Sequence, residues 1–216
     1  MGAVIIGLDV GQRVDPSALA VTEQEWRTVD GRREAYYLVR HLERLPLGTP
    51  YPAVAERLRA VVAGVRQRGA GSLTVYCDAT GLGQPLVDML KAVGVRVTPV
   101  YFTHGDRRVE QQDRSISLGK AFLVSRMQVL LQSGCILLPR TPEAEALAGE
   151  LLDYEIRVAQ DANERYGAFK TGAHDDLVTA LGLAVQKQPQ ERNILVAEQD
   201  LDWPRVSKTY WRTRRG

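Results

Sequence analysis

Two apolar runs, each closed by an aspartate, constrain this chain more than any other feature. Val4-Ile5-Ile6-Gly7-Leu8-Asp9 and Leu73-Thr74-Val75-Tyr76-Cys77-Asp78 are too continuous for strands with one wet face. Runs of this kind fit strands covered on both sides, as in the interior of an α/β sheet. Sheets of that class hold their ligands beyond the carboxyl ends of the strands. A lone Asp at a strand end is ordinarily a turn residue. Two such ends predict a pair of carboxylates along one edge of a buried sheet.

A third acidic point lies far along the chain. Gly172-Ala173-His174-Asp175-Asp176 precedes Leu177-Val178-Thr179-Ala180-Leu181, so the acids open a helix predicted over Asp175 to Val185. Taken alone the dipeptide reads as capping, because Asp is a favoured N-cap and negative charge suits a helix N-terminus. Together with Asp9 and Asp78 it predicts a carboxylate cluster, and clustered acids need a cation. Hard divalent ions take oxygen ligands, which suits acids in preference to His/Cys sets.

The chain has 216 residues, 44% hydrophobic and 25% charged, enough for one good core. We read residues 1–187 as that globular unit and 188–216 as a basic tail, whose spaced prolines and lack of apolar periodicity argue against independent folding. Trp203, Tyr210 and Trp211 beside Lys208, Arg212, Arg214 and Arg215 suit protein docking or a grip on DNA. The net charge of +2 sets up no overall field for a polyanion, so basic recognition has to be local. Cys77 and Cys135 lie in apolar runs and read as reduced core thiols of an intracellular protein. No run reaches membrane-spanning length and no signal-peptide pattern opens the chain, so no membrane partner is expected.

The order of elements picks out an architecture. Strands are predicted over Ser17 to Thr22 and Tyr36 to Leu42 around the hairpin pair Asp30-Gly31. A helix over Tyr51 to Arg68 closed by Gly69 leads to the Asp78 strand, then Gly81-Leu82-Gly83 turns into a helix through Val93, and a strand follows over Val95 to Tyr101. Beyond it come a helix over Leu118 to Leu131, a short strand over Cys135 to Leu138, a helix over Pro142 to Leu152, and a hairpin of Tyr154 to Val158 with Tyr166 to Phe169 around Asp161-Ala162-Asn163. An antiparallel meander followed by alternating helices and parallel strands, with acids on the first strand, the fourth strand and the last helix, is the order of a ribonuclease H-like α/β fold: a mixed central sheet with flanking helices.

Gly7-Leu8-Asp9-Val10-Gly11 with Asp15-Pro16-Ser17-Ala18, Asp78-Ala79-Thr80-Gly81-Leu82-Gly83, and His174-Asp175-Asp176-Leu177 together resemble the nuclease domain of the large terminase subunit of tailed bacteriophages, from Val4 to about Val185. The resemblance implies a metal-dependent endonuclease that cuts double-stranded phage DNA during genome packaging in the host cytoplasm. It also implies an N-terminal ATPase motor, a portal protein and a small terminase subunit as partners. Gly119-Lys120 is followed by Ala121 and lacks the glycines of a phosphate-binding loop, so the motor is not in this chain and an excised domain is expected. The activity would use two Mg²⁺ or Mn²⁺ ions roughly 4 Å apart. Asp9 is then the bridging ligand, with Asp78 on one ion and Asp175 or Asp176 on the other.

Further candidates are weaker. Asp15 could approach the metals from its loop, although Asp15-Pro16 is also a turn opener. His174 could shuttle protons or act as a structural donor. Arg107, Arg108, Arg114 and Lys120, with Lys170 near the acidic pair, read either as solvated surface or as phosphate-backbone contacts. Gly81 and Gly83 read as backbone geometry. Three rival readings remain: a Holliday-junction resolvase with the same fold and acids, a phosphate-binding domain of the actin and sugar kinase superfamily suggested by Asp9-Val10-Gly11, and a catalytically silent interaction module.

Overall fold

The computed structural model describes residues 2–11, 15–81, 83–153, 155–158, 164–167 and 175–189. Strands β1 (Ala3–Asp9), β2 (Ala18–Val29) and β3 (Arg32–Arg44) form the expected antiparallel meander. Its turn is Asp30-Gly31, with φ of 50° and 78°, the left-handed pair that a two-residue hairpin requires. β2 and β3 run well past the predicted ends. Their polar outer halves stay paired, helped by Arg27 over the Tyr36 ring and Arg33 over the Trp26 ring. Apolar alternation marks only the part of a strand that meets a core.

Helix α1 (Tyr51–Gln67) returns the chain to β4 (Ser72–Asp78), which lies parallel to β1. Helix α2 (Gly83–Ala92) leads to β5 (Thr98–Thr103), parallel to β4. The strand expected from Val95 starts later, since the Val95 N–H is taken by the Leu90 carbonyl in closing α2. Next come β6 (Arg108–Glu110) and β7 (Ile116–Gly119), a hairpin that the sequence reading did not foresee. Ile116 and Leu118 are buried at a spacing of two, so the helix expected from Leu118 begins only at α3 (Lys120–Gln132). The chain continues through β8 (Ile136–Leu137), α4 (Pro142–Asp153), a separate antiparallel pair β9 (Glu155–Val158) and β10 (Glu164–Gly167), and α5 (Asp176–Val185). The main sheet has the order β6-β7-β5-β4-β1-β2-β3-β8.

Both faces of the sheet are covered, as the continuous apolar runs require. Val4, Ile6 and Leu8 of β1 point to one side, against Val54, Leu58 and Val62 of α1 and Leu86 and Leu90 of α2. Ile5 points to the other, with Tyr37, Leu123, Met127, Leu147, Leu177 and Leu181. On this second side α5 is buried along its whole length, between the sheet and helices α3 and α4. Gly7 makes that possible. A Cβ there would stand 2.0 Å from the Ala180 carbonyl oxygen, so only glycine lets α5 lie directly on β1.

The carboxyl end of α5 is closed by another helix. Arg126 of α3 donates from Nε to the Val185 carbonyl, and from Nη2 to the Lys187 carbonyl at 3.0 Å and the Tyr37 hydroxyl at 2.9 Å. A cation at a helix C-terminus also suits the macrodipole. Cys77 and Cys135 are buried and unpaired, as the sequence led us to expect. No helix among the described residues is long and apolar enough to cross a membrane. The tail beyond residue 189 and the turn of the β9–β10 pair lie outside the described residues.

Candidate active site

Strand parity sets the site. Leu8 pairs with Cys77 between parallel β1 and β4, so the next residues, Asp9 and Asp78, end neighbouring strands side by side. Leu8 and Cys77 face the α1 side, which turns Asp9 and Asp78 toward α5. The N-terminus of α5 brings Asp175 and Asp176 to the same end. β5 and β7 run parallel to β4, and Lys120, the residue after β7, joins that carboxyl edge.

Three of the acids act on the fourth, Asp9. Burial raises the Asp9 carboxyl well above its ordinary range, and the charges of Asp78, Asp175 and Asp176 push it further, opposed by Lys120. Burial raises Asp78 as well. Hydrogen bonds from Thr80 and the Lys120 ammonium offset this only in part. Thr80 donates its N–H to Asp78 Oδ1 at 2.8 Å, while its hydroxyl accepts from the Phe102 N–H at 2.8 Å, which ties the loop after β4 to β5. Gly81, with φ of 81°, then lets the chain turn into α2.

Lys120, one of the basic residues that read either as solvated surface or as phosphate contacts, stands with Nζ 5.6 Å from the Phe102 ring centroid and acts on both strand-end acids. It is the first residue of α3, a position where a cation opposes the helix dipole. The carboxylates it faces compensate.

At α5 the two adjacent acids diverge. Asp175 occupies the N-cap position, yet its side chain makes no capping hydrogen bond. That bond comes from a different helix: Glu150 of α4 accepts the Val178 N–H through Oε2 at 3.0 Å. Asp176, 2% exposed, accepts from Arg44 Nε through Oδ2 at 2.8 Å. The Arg44 fork also donates through Nη2 to Glu150 Oε1. Arg44, Glu150 and Thr80 escaped the sequence reading. Glu150 had a signal, since it continues the buried stripe Ala144, Leu147 at spacings of three, where an acid needs a partner.

Other expected residues lie apart. Asp15 is exposed in the bend before β2, and the charges acting on Asp9 are those of Asp78, Asp175, Asp176 and Lys120. Arg108 is tied into the fold: its side chain is 17% exposed, Nε donates to Gln186 Oε1, and Nη1 lies 3.8 Å from Glu110. Arg107 and Arg114 are exposed on the β6–β7 hairpin, Arg114 in a left-handed turn position with φ of 67°. Lys170 and His174 lie outside the described residues.

Among the described residues no three His, Cys, Asp or Glu side chains stand close enough together to form a ready-made metal shell. The donor chemistry nevertheless fits a hard divalent cation. Asp9 is held at high negative potential by three other carboxylates at the mouth of the sheet, and every donor is oxygen.

No family model and no curated protein matches the sequence. Solved structures do match in fold. The large terminase nuclease from thermophilic phage G20c with bound magnesium aligns with a TM-score of 0.59 and 24% identity, covering 86% of this chain and 81% of that one. The HK97 bacteriophage large terminase aligns at 0.56 and 13% identity over 85% of this chain but 39% of its own. The Mn-soaked, inhibitor-bound human cytomegalovirus terminase nuclease domain aligns at 0.51 and 14% identity, covering 83% and 80%. The chain therefore has the ribonuclease H-like fold. Within that class its architecture is similar to the nuclease domains of viral large terminases.

Proposed function

We propose that the chain is a divalent-metal-dependent endonuclease that cuts double-stranded DNA during phage genome packaging. The observation that carries this is the convergence of Asp9, Asp78, Asp175 and Asp176 with Lys120 at the carboxyl edge of the sheet. Such a set attracts cations and repels bare phosphate, so a polyanionic substrate can be brought in only together with bound metal. Asp9 and Asp78, with Asp175 or Asp176, would hold the ions. Two Mg²⁺ or Mn²⁺ ions there would supply an activated water and stabilise the leaving 3′ oxygen.

The chain's own residues do the rest. Thr80 fixes the orientation of the Asp78 carboxylate through its N–H. Lys120 supplies a fixed positive charge beside the two strand-end acids, where it can meet a phosphate oxygen or hold a water. The exposed Arg107 and Arg114 give the β6–β7 hairpin local charge for the DNA backbone. The Gly11 N–H is engaged by the Ser17 hydroxyl at 3.0 Å, which leaves the Asp9-Val10-Gly11 turn poorly suited to a nucleotide phosphate and disfavours the sugar kinase reading.

The test is plasmid cleavage by the full chain. We expect nicking and linearisation with Mn²⁺ or Mg²⁺, none in excess EDTA, and at least about a hundredfold loss in Asp9→Asn and Asp78→Asn, in line with losing electrostatic stabilisation of a transition state. Cleavage that persists in EDTA would falsify the metal mechanism. A strong preference for four-way junctions over linear duplex would favour the resolvase reading.

A further inference from the structure

We infer that Arg44 and Glu150 are positioning residues that hold the start of α5, and with it Asp175 and Asp176, in register with Asp9 and Asp78. The inference rests on the reading of that acid cluster as a cation site. Its basis is the chain of contacts from α4 through β3 to α5. Glu150 accepts the Val178 N–H, the bond that an N-cap side chain ordinarily makes. The capping role is thereby taken from Asp175, whose carboxylate makes no cap bond and remains available to the cluster. The second oxygen of Glu150 accepts from Arg44, and Arg44 donates to Oδ2 of Asp176.

The burial of the three groups shows why they act as a unit. Asp176 and Glu150 are 2% and 7% exposed, two like charges that could not both be buried without the guanidinium between them. A planar fork reaches both carboxylates at once, which a lysine ammonium cannot do with the same geometry. Arg44 closes β3 and Glu150 lies on α4, so three separate elements converge on one turn of α5. With Oδ2 fixed by Arg44, the orientation of Asp176 is set before any cation arrives. Partners of this kind, which orient ligands without touching the metal, typically carry 10- to 100-fold in metal affinity.

The experiment measures Mn²⁺ binding by calorimetry on the full chain and, in parallel, the Mn²⁺ concentration that gives half-maximal plasmid cleavage. Arg44→Met and Glu150→Gln are each expected to weaken Mn²⁺ about 10- to 100-fold. DNA affinity at saturating Ca²⁺ should be unchanged. Arg44→Lys should restore part of the loss, and it serves in place of Arg44→Met should that variant not fold. Variants that bind Mn²⁺ as tightly as the parent would overturn the inference and leave the nuclease reading standing. A parent that binds Mn²⁺ but does not cut, with variants that bind it more weakly, would uphold the inference and overturn the nuclease reading. A parent that binds no Mn²⁺ would overturn both.

Discussion

Helices α1 and α5 cover opposite faces of the same sheet and are built on opposite plans. α1 is amphipathic: Val54, Leu58, Val62 and Val65 face β1 while most of the intervening residues are exposed. Its ends are dealt with locally, by Pro50 at the N-cap, a proline in the first turn, and Gly69 just past the end with φ of 74°. α5 is buried along its whole length, and both ends are satisfied from elsewhere, the first turn by Glu150 and the last by Arg126. A helix that closes its own ends can be a self-contained layer. One whose ends are held by other elements is fixed in position by the whole domain, which suits a helix that carries two of four interacting acids.

The sharpest way to break this contrast is a pair of glycine substitutions. Gly7→Ala would drive a Cβ to within 2.0 Å of the Ala180 carbonyl, and neither the strand nor the buried helix can give way locally. We expect a loss of about 3 kcal/mol or more, toward the upper end of what overpacking does. Gly64→Ala on α1 meets nothing nearer than Arg68 Nη1 at 3.6 Å. Removing a mid-helix glycine there should stabilise by about 0.5–1 kcal/mol. Chemical denaturation of both variants decides the matter, and a tolerated Gly7→Ala would show that α5 is not pinned to β1.

The same contrast explains what could be read from the sequence. α1 was legible nearly to the residue, because periodicity, prolines and a terminal glycine are all local signals. The strand-end acids were legible too, since Asp9 and Asp78 close runs that only a doubly covered sheet explains. What could not be read were pairings that join distant segments: Arg44 to Asp176, Glu150 to Val178, Arg126 to Val185. No local pattern says that a helix will be capped from another helix. The dipeptide Asp175-Asp176 looked like capping for the same reason, and the capping role went to Glu150. The β6–β7 hairpin was hidden by its short strands and charged residues, which led Leu118 to be read as part of a helix.

A second test, of intermediate size, compares two arginines. Arg126→Met removes the bonds to the Val185 and Lys187 carbonyls and to the Tyr37 hydroxyl. It should destabilise by about 2 kcal/mol, the range for charged hydrogen bonds and partly buried helix-end cations. Arg59→Ala on α1 removes only the bond to Glu56, between two half-exposed side chains. Its effect should stay within about 0.5 kcal/mol. Equal losses in the two variants would contradict the idea that α5 alone depends on distant partners.

The smallest effect is one of sign, and it separates the two faces by pH. On the α5 side Asp9 is raised above its ordinary 3.8, by burial first and by its acidic neighbours second. The folded protein therefore holds that proton more tightly than the unfolded chain, and metal-free stability should fall as pH rises from 3.8 through the folded value. On the α1 side burial would also raise Glu43, but the hydrogen bonds from Arg57 and His41 outweigh it and hold the carboxyl below its ordinary 4.5. Its contribution is present above 4.5 and is lost as pH falls through the folded value. Denaturation in EDTA from about pH 3 to about pH 8 should show Asp9→Asn flattening the decline toward neutral pH and Glu43→Gln flattening the loss in acid. Mn²⁺ should mimic Asp9→Asn in the first limb only, since a cation relieves the repulsion among the acids without touching the α1 face. An Asp9→Asn variant with the parent's pH slope would mean that neither burial nor the neighbouring carboxylates raise Asp9 in the folded protein, and the contrast between the two faces would then rest on packing alone.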